Sequence, residues 1–355
     1  MDCFFAAVER LDNPELVGLP IAVGHDTERG VISTASYEAR KFGVHSAQSV
    51  KMAKKLCPNL RIVSPRFQRY KEVSEKIHGI FHRYTDIVEP ISLDEAFLDV
   101  TYNKKGMLCA TEIAAEIKAA IKDELQLTAS AGVSYCKMIA KIASDYNKPD
   151  GICTVTFEDA VPFLDTLTVE RLWMVGPKTA HDMHGLGIFT IKQLRECSQA
   201  TLIRLFGKRG GIFYDYARGI DESPVEPRQE RKSVSCEMTF EHDISLRSAV
   251  IIELYNIVLE LVRRIDKSGF TGRILTLKVK YSDFEQVTRS ITHSADLRKK
   301  NDILPLAKKL LSKVSISSGN PIRLIGLGVS AADNRNSDVK TNKMQWKEQE
   351  LPFVE

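Results

Sequence analysis

The chain lacks most of the features that would announce a secreted, membrane or metal-finger protein. It has seven cysteines in 355 residues, an odd count, and no CxxC pair. That pattern argues against a disulfide framework or a structural zinc site, and a reducing, cytoplasmic setting suits it best. No apolar run approaches the roughly 20 residues that a membrane span needs, so no membrane partner is expected. The first apolar cluster is short and followed by charge, so no secretory leader is expected. Glycine (20) and proline (13) form no rich runs, which excludes collagen-like and low-complexity classes.

What is present is globular in composition, 43% hydrophobic and 27% charged. At this length two to four domains are expected. The formal net charge is only +4, but it is uneven. Residues 228–335 hold 19 Lys and Arg against 12 Asp and Glu, a net +7, which leaves −3 for the remainder. A basic C-terminal third suits a polyanionic partner, although an ordinary basic surface has the same look.

Along the first 160 residues strand-like and helix-like patterns alternate. LPIAVG and GVISTASY read as strands, and RFQRYKEVSEKIHGIFHRY as a helix with apolar residues at helical spacing. IVEPISLDEAFLDV reads as two strands joined by a tight turn. Ile113, Ile117 and Ile121 lie four apart in an Ala-rich amphipathic helix. LTASAGVSY is a short strand, and MIAKIASDYNKPDG a helix stopped by Pro149 and Gly151. With one further strand in front of Met1, this part would form a β-α-β-β-α-β split sheet.

Residues 160–220 read as short helices. WMVGPKTAHDMHGLGI has the shape of a helix-hairpin-helix, with Gly176 and Pro177 opening a turn between helices and Gly185 and Gly187 flanking the next. Backbone N–H groups at such a turn suit a DNA phosphate, the alternative being a plain helical corner. Pro224, Pro227 and EPRQERK read as a linker, followed by a second strand-and-helix region. From about Asp333 the chain is polar until a terminal ELPF.

The most informative stretch is the turn holding Asp94 and Glu95. At a tight turn both carboxylates can reach one ion, and oxygen donors suit Mg²⁺. A hydrophilic hairpin tip would look the same. Three neighbours sharpen the reading. Tyr37 and Arg40 are three apart, hence on one helix face, where a phenol and a guanidinium can hold a triphosphate. Lys148 offers a second cation, and Phe4 and Phe5 an aromatic wall.

In order and spacing, MDCFFAAVE, VISTASYEARKFGV, ISLDEAFLDV, ASAGVSYCKMIAKIASDYNKPDG and WMVGPKTAHDMHGLGI resemble the Y-family translesion DNA polymerases, of the bacterial DNA polymerase IV type. The resemblance runs from Met1 to about Ala332. It implies an α+β fold, a right-hand polymerase of palm, fingers and helical thumb, with an α+β little finger. Residues 1–10 and 71–157 would be palm, 11–70 fingers, 158–226 thumb, 227–230 linker, 231–332 little finger and 333–355 a flexible tail. Asp94 matches a metal-ligand aspartate, and Glu95 the adjacent catalytic glutamate. Phe5 matches the steric gate under the deoxyribose. Phe4, Tyr37, Arg40 and Lys148 match triphosphate contacts, and Gly176, Lys178 and Gly187 the hairpin that binds DNA phosphate. Gln349, Leu351 and Phe353 resemble a degenerate sliding-clamp peptide.

The implied reaction is template-directed nucleotidyl transfer from a deoxynucleoside triphosphate to a primer 3′-OH, with two Mg²⁺ ions and no proofreading, by a monomer. Ser33, Ala35 and Ser36 would leave room over the templating pair, which tolerates lesions and lowers fidelity. One departure stands out. The family pattern opens on a strand ending V-D-x-D, and Asp2 aligns with its second aspartate. The first, a metal ligand, and its strand are therefore expected to lie before Met1. The side chain of Asp2 is expected to point to the opposite face. The alternative is a crippled DNA- and clamp-binding remnant. A nucleotidyl cyclase, the third reading, has no use for the hairpin or the basic last domain.

Overall fold

The structure, a computed structural model, describes residues 1–227 and 230–331. It divides into two compact units, Met1–Gln229 and Glu230–Glu355.

The first unit opens on α1 (Phe4–Asp12), entered through Cys3 in the left-handed region at φ 47°. β1 (Ile21–Gly24) and β2 (Ile32–Ala35) pair antiparallel, then come α2 (Tyr37–Arg40), α3 (Val50–Leu56) and β3 (Arg61–Val63), which pairs parallel with β1. α4 (Phe67–Phe81) leads to the hairpin of β4 (Val88–Pro90) and β5 (Ala96–Leu98). α5 (Ala110–Leu125) buries Ile113, Ile117 and Ile121, the spacing read from the sequence. Each such isoleucine contributes about 1.5–3 kcal/mol when fully buried. β6 (Ala131–Ser134), α6 (Lys137–Ser144) and β7 (Ile152–Val155) form a parallel strand-helix-strand unit. The helical run follows: α7 (Ala160–Asp165), α8 (Pro177–Gly185), α9 (Ile191–Glu196), α10 (Gln199–Phe206) and α11 (Lys208–Tyr216).

Three separate apolar cores hold this unit together. One lies around Ala22, Ile32, Val50 and Leu60. A second gathers Phe4, Val8, Tyr70, Ile77 and the isoleucines of α5. A third joins Met138, Ile139 and Ile142 of α6 to Leu164, Leu194 and Phe213 of the helical run.

One expectation is conditional and one needs correcting. The split sheet is expected only with a further strand in front of Met1, and among the described residues β4–β5 and β6–β7 are separate two-stranded pieces. A cavity of about 220 Å³ lies between β5 and β6, lined by Ala96, Leu98, Ala131 and Val133 with α5 as its floor. Across that gap the two strand edges do not bond. In addition, α6 ends at Ser144, before Pro149, because Asp145 and Tyr146 close the last turn with short-range bonds to Ile142 and Ala143.

The second unit is an antiparallel sheet under two helices. β8 (Ser233–Ile244), α12 (Arg247–Ser268), β9 (Ile274–Tyr281), β10 (Gln286–Thr292), α13 (Lys300–Leu311) and β11 (Ile322–Ser330) follow in sequence, and the strands lie in the order β10-β9-β11-β8. On β9 burial alternates strictly, with Leu275, Leu277 and Val279 inward and Thr276, Lys278 and Lys280 outward. The register sets Ser235, Gly328, Thr276 and Ser290 in one row of the outer face, and Glu237, Gly326, Lys278 and Thr288 in the next. That face is thus small, hydroxyl-bearing and partly basic. No helix among the described residues is long and apolar enough to cross a membrane.

Candidate active site

The acidic turn is built by its own backbone. Ile91 and Ser92 N–H both donate to the Glu95 carbonyl, at 2.9 and 3.2 Å. The buried Ser74 hydroxyl of α4 donates to the Leu93 carbonyl and ties the turn to the core. Ser92 Oγ donates to Asp94 Oδ1 at 2.9 Å. Both carboxylates stay partly exposed, at 26% for Asp94 and 33% for Glu95. The Met1 amine donates to the Asp94 carbonyl at 2.9 Å. Burial pushes that amine below its ordinary value, against the opposing pull of Asp94.

Asp2 has partners of its own. It is 3% exposed, accepts from Ser130 Oγ at 2.8 Å and from the Asp150 N–H at 2.9 Å, and faces the Tyr37 hydroxyl at 3.5 Å. Burial, and then the Asp2 charge, holds the Tyr37 phenol well above its ordinary range. Tyr37 sits on α2 beside Arg40, whose guanidinium lies 5.1 Å from the phenol ring centroid and donates to the Ala35 carbonyl at 3.0 Å. Lys148 pairs with Asp145 at 2.8 Å and also feels Glu95 and Asp2. The Cys3 thiol, pushed up by burial, feels Arg40, Asp2, Arg10 and Lys148 in turn. Lys148 thus lines one cavity with Asp94 and Glu95, while Tyr37 and Arg40 lie on the side of Asp2 at the start of the chain, whose first residue bonds the acidic turn.

The two phenylalanines part company. Phe5 is partly exposed and stacks on Tyr70 at 4.3 Å and 14°, with Phe67 edge-on at 6.0 Å. Phe4 is 3% exposed and its ring lies in the core. Its ring is not available to a nucleotide, which leaves only its backbone for the expected contact. Ala35 and Ser36 are likewise fully buried and do not line open space. Ser36 instead caps α2, its Oγ accepting from Ile21 and Ala39 N–H.

In the hairpin, Gly176 caps the N-terminus of α8, with Pro177 in its first turn, rather than joining two α-helices. The turn itself is Leu186–Phe189, where Gly187 needs φ +77°. Gly176, Lys178 and Gly187 are all exposed. Gln349, Leu351 and Phe353 lie outside the described residues.

Several supports went unread in the sequence. Tyr70 is fully buried and donates to Glu9 Oε1 at 2.6 Å, and Arg66 Nε grips both Glu9 oxygens at 3.0 Å. Lys141 reaches Glu95 Oε1 at 2.7 Å. A helical-period reading would have found part of this: Phe4 and Val8 share a face, and Phe5 shares one with Glu9.

The impB/mucB/samB family model matches residues 1–145, and the C-terminal domain model of the same family matches residues 231–342. A DNA polymerase IV of Bacteroides fragilis is 53% identical over 353 residues, 99% of this chain and 96% of the relative. The chain belongs to the Y-family DNA polymerases. A DNA polymerase IV of Akkermansia muciniphila is 51% identical, over 93% of this chain and 92% of that one. Among solved structures, a Y-family DNA polymerase chimera, Dbh-Dpo4(243-245)-Dbh, superposes with a TM-score of 0.84 at 25% identity, covering 93% of this chain and 96% of that chain.

As a metal site, the donor set fits in part. Asp94 and Glu95 are hard oxygen donors side by side, which suits a divalent cation. Among the described residues, no group of three or more His, Cys, Asp or Glu side chains comes together.

Proposed function

We propose that this polymerase carries out template-directed DNA synthesis across damaged templates. The observation that supports it most directly is that Lys148 lines one cavity with the Asp94–Glu95 turn, with Tyr37 and Arg40 on the side of Asp2 at the start of the chain, in a chain 53% identical to a DNA polymerase IV. The relatives favour this over a DNA-binding remnant.

In the reaction the primer 3′-oxygen forms a bond to the α-phosphorus of a deoxynucleoside triphosphate. The α–β phosphoanhydride bond breaks and pyrophosphate leaves. Family membership implies dependence on divalent metal. We assign Mg²⁺, as a pair of ions, with Asp94 and Glu95 as protein donors. When bound, the metal acidifies the 3′-hydroxyl and offsets charge on the phosphates. Tyr37, Arg40 and Lys148 neutralise the triphosphate through charge-assisted hydrogen bonds. The Phe5 ring, backed by Tyr70, sets a flat wall under the sugar that a ribose 2′-OH would strike.

The domain boundaries given by the resemblance are part of this proposal. Gly176, Lys178 and Gly187 serve the DNA backbone, and so do the hydroxyls and lysines on the outer face of the second sheet. Such contacts carry no base information and weaken with salt. The proposal extends to a cytoplasmic monomer that takes a sliding clamp through Gln349, Leu351 and Phe353.

Primer extension by the purified 355-residue chain tests the reading. Distributive extension in Mg²⁺, past an abasic or adducted template base and lost in Glu95→Gln, is expected. No extension at any Mg²⁺ or Mn²⁺ concentration overturns it.

A further inference from the structure

Two charged side chains of the α6 segment face the site without a part in the scheme above. Lys141 Nζ lies 2.7 Å from Glu95 Oε1. One turn on, Asp145 Oδ1 lies 2.8 Å from Lys148 Nζ. Each group assigned to a ligand, Glu95 to metal and Lys148 to triphosphate, thus already has a counter-ion from its own chain. Lys141 and Asp145 are also four residues apart on one helical face, and the Lys141 charge acts on the Asp145 carboxyl.

We propose that Lys141 and Asp145 are exchangeable counter-ions that the substrate complex releases together. Before loading, the pairs are Glu95–Lys141 and Asp145–Lys148. After loading, Glu95 belongs to the divalent cation, Lys148 to the triphosphate, and the freed Lys141 and Asp145 pair with each other. No charge is left without a partner at either end of the exchange, which matters more for the partly buried Lys141, Glu95 and Lys148 than for the exposed Asp145. Lys141 and Asp145 are positioning residues in this scheme. They keep the site from collapsing around unpaired charge and set a threshold that metal and triphosphate must both exceed. The proposal rests on the assignment of Glu95 and Lys148 above.

The test is equilibrium binding by the full chain, read without catalysis. Free Mn²⁺ is followed by its electron paramagnetic resonance signal, and dATP binding in EDTA by calorimetry. Lys141→Gln removes the competitor for Glu95, and Mn²⁺ affinity is expected to tighten roughly two- to fivefold, the worth of a partly exposed ion pair. Lys141→Arg should stay near the parent. Lys141→Gln should add much less in a Glu95→Gln background. Asp145→Asn should tighten dATP binding by a similar factor, and not in a Lys148→Gln background. Thermal melting of each variant checks folding. If Glu95→Gln weakens Mn²⁺ binding but Lys141→Gln leaves it unchanged or weaker, the exchange is overturned while the assignment of Glu95 stands. If Glu95→Gln binds Mn²⁺ as the parent does, the assignment fails and the exchange with it.

Discussion

Tyr70 is where the steric gate proposed at Phe5 can be loosened without touching it. Its ring stacks on Phe5 at 4.3 Å, and its hydroxyl donates to Glu9 at 2.6 Å inside the core. Tyr70→Phe deletes only the hydroxyl. A hydrogen bond to a charged partner is worth about 1.5–3 kcal/mol. Arg66 still holds both Glu9 oxygens at 3.0 Å, so the carboxylate is not orphaned and the loss falls near the lower end, about 1.5 kcal/mol. The stack survives, and discrimination against ribonucleotides should not change. Tyr70→Leu loses the bond and also the stack, about 0.5–1.5 kcal/mol beyond its buried area, and leaves a core void, for about 3–5 kcal/mol in all. The edge of Phe67 at 6.0 Å and the tilted Phe4 ring at 5.7 Å then remain beside Phe5, and a ring that has lost its stacked face is freer to turn and gives the 2′-OH room. The ratio of kcat/KM for dATP over ATP opposite thymine should fall at least about tenfold, equivalent to about 1.4 kcal/mol of lost discrimination. Urea denaturation followed by circular dichroism gives the stability arm, and single-nucleotide insertion the other. A Tyr70→Leu enzyme that is destabilised as expected yet discriminates like the parent would show that Tyr70 does not hold the gate.

Two more outcomes follow from the same contacts. At Gly132 an added Cβ would sit 1.9 Å from the Ala140 carbonyl oxygen and 2.4 Å from Ser144 N, both backbone atoms. Gly132→Ala must therefore push α6 off β6, at about 1–3 kcal/mol of stability by urea denaturation and with weakened dATP binding. For Asp145, burial alone raises the carboxyl, but the Lys148 hydrogen bond and nearby cations outweigh it and hold the group below its ordinary 3.8. For Lys148, burial alone lowers the ammonium, but Asp145 outweighs it and holds the group above 10.5. The acid's contribution is present above its unfolded value and fades as pH falls through the depressed folded one. The base's contribution is present below its unfolded value and fades as pH rises through the raised folded one. The gap in thermal midpoint between parent and Asp145→Asn should be flat from about pH 5 to 9 and close below about pH 4. A gap that stays open in acid would mean that the pair is not its source.

Elements with a strong period were legible along the chain. The isoleucines of α5 and the apolar face of α4 lie inward as their spacing requires, and IVEPISLDEAFLDV folds as two strands joined by a turn. Side-chain direction near helix ends was less legible. Phe4 and Phe5 look alike in the sequence, yet one residue step of about 100° around the helix separates a core ring from a partly exposed one. Ala35 and Ser36 looked small enough to leave space, but their size serves close packing and a helix cap. Partners far apart in sequence left no local signal. Lys141 and Glu95, 46 residues apart, meet where the core of α6 adjoins that of the β4–β5 hairpin, and Tyr70 and Glu9, 61 apart, meet because α4 and α1 share one core.

That last point bears on how the site is controlled. α6 belongs to two structures at once. Gly132 brings β6 against its Ala140 and Ser144, while Met138, Ile139 and Ile142 pack with Leu164, Leu194 and Phe213 of the helical run that carries the hairpin. Lys141 and Lys148 extend from this shared helix and the turn after it toward the acids between β4 and β5. The hairpin that carries the acids is tied to the same elements. Lys137 of α6 pairs with Glu89 of β4 at 2.7 Å, both side chains nearly buried, and the Phe97 ring of β5 packs edge-on against Trp173 at 5.6 Å. Ser74 of α4 adds a further tie through the Leu93 carbonyl. Cations and acids thus share one frame, and within it only the partly exposed ion pairs, worth about 1 kcal/mol or less each, are soft enough to exchange partners.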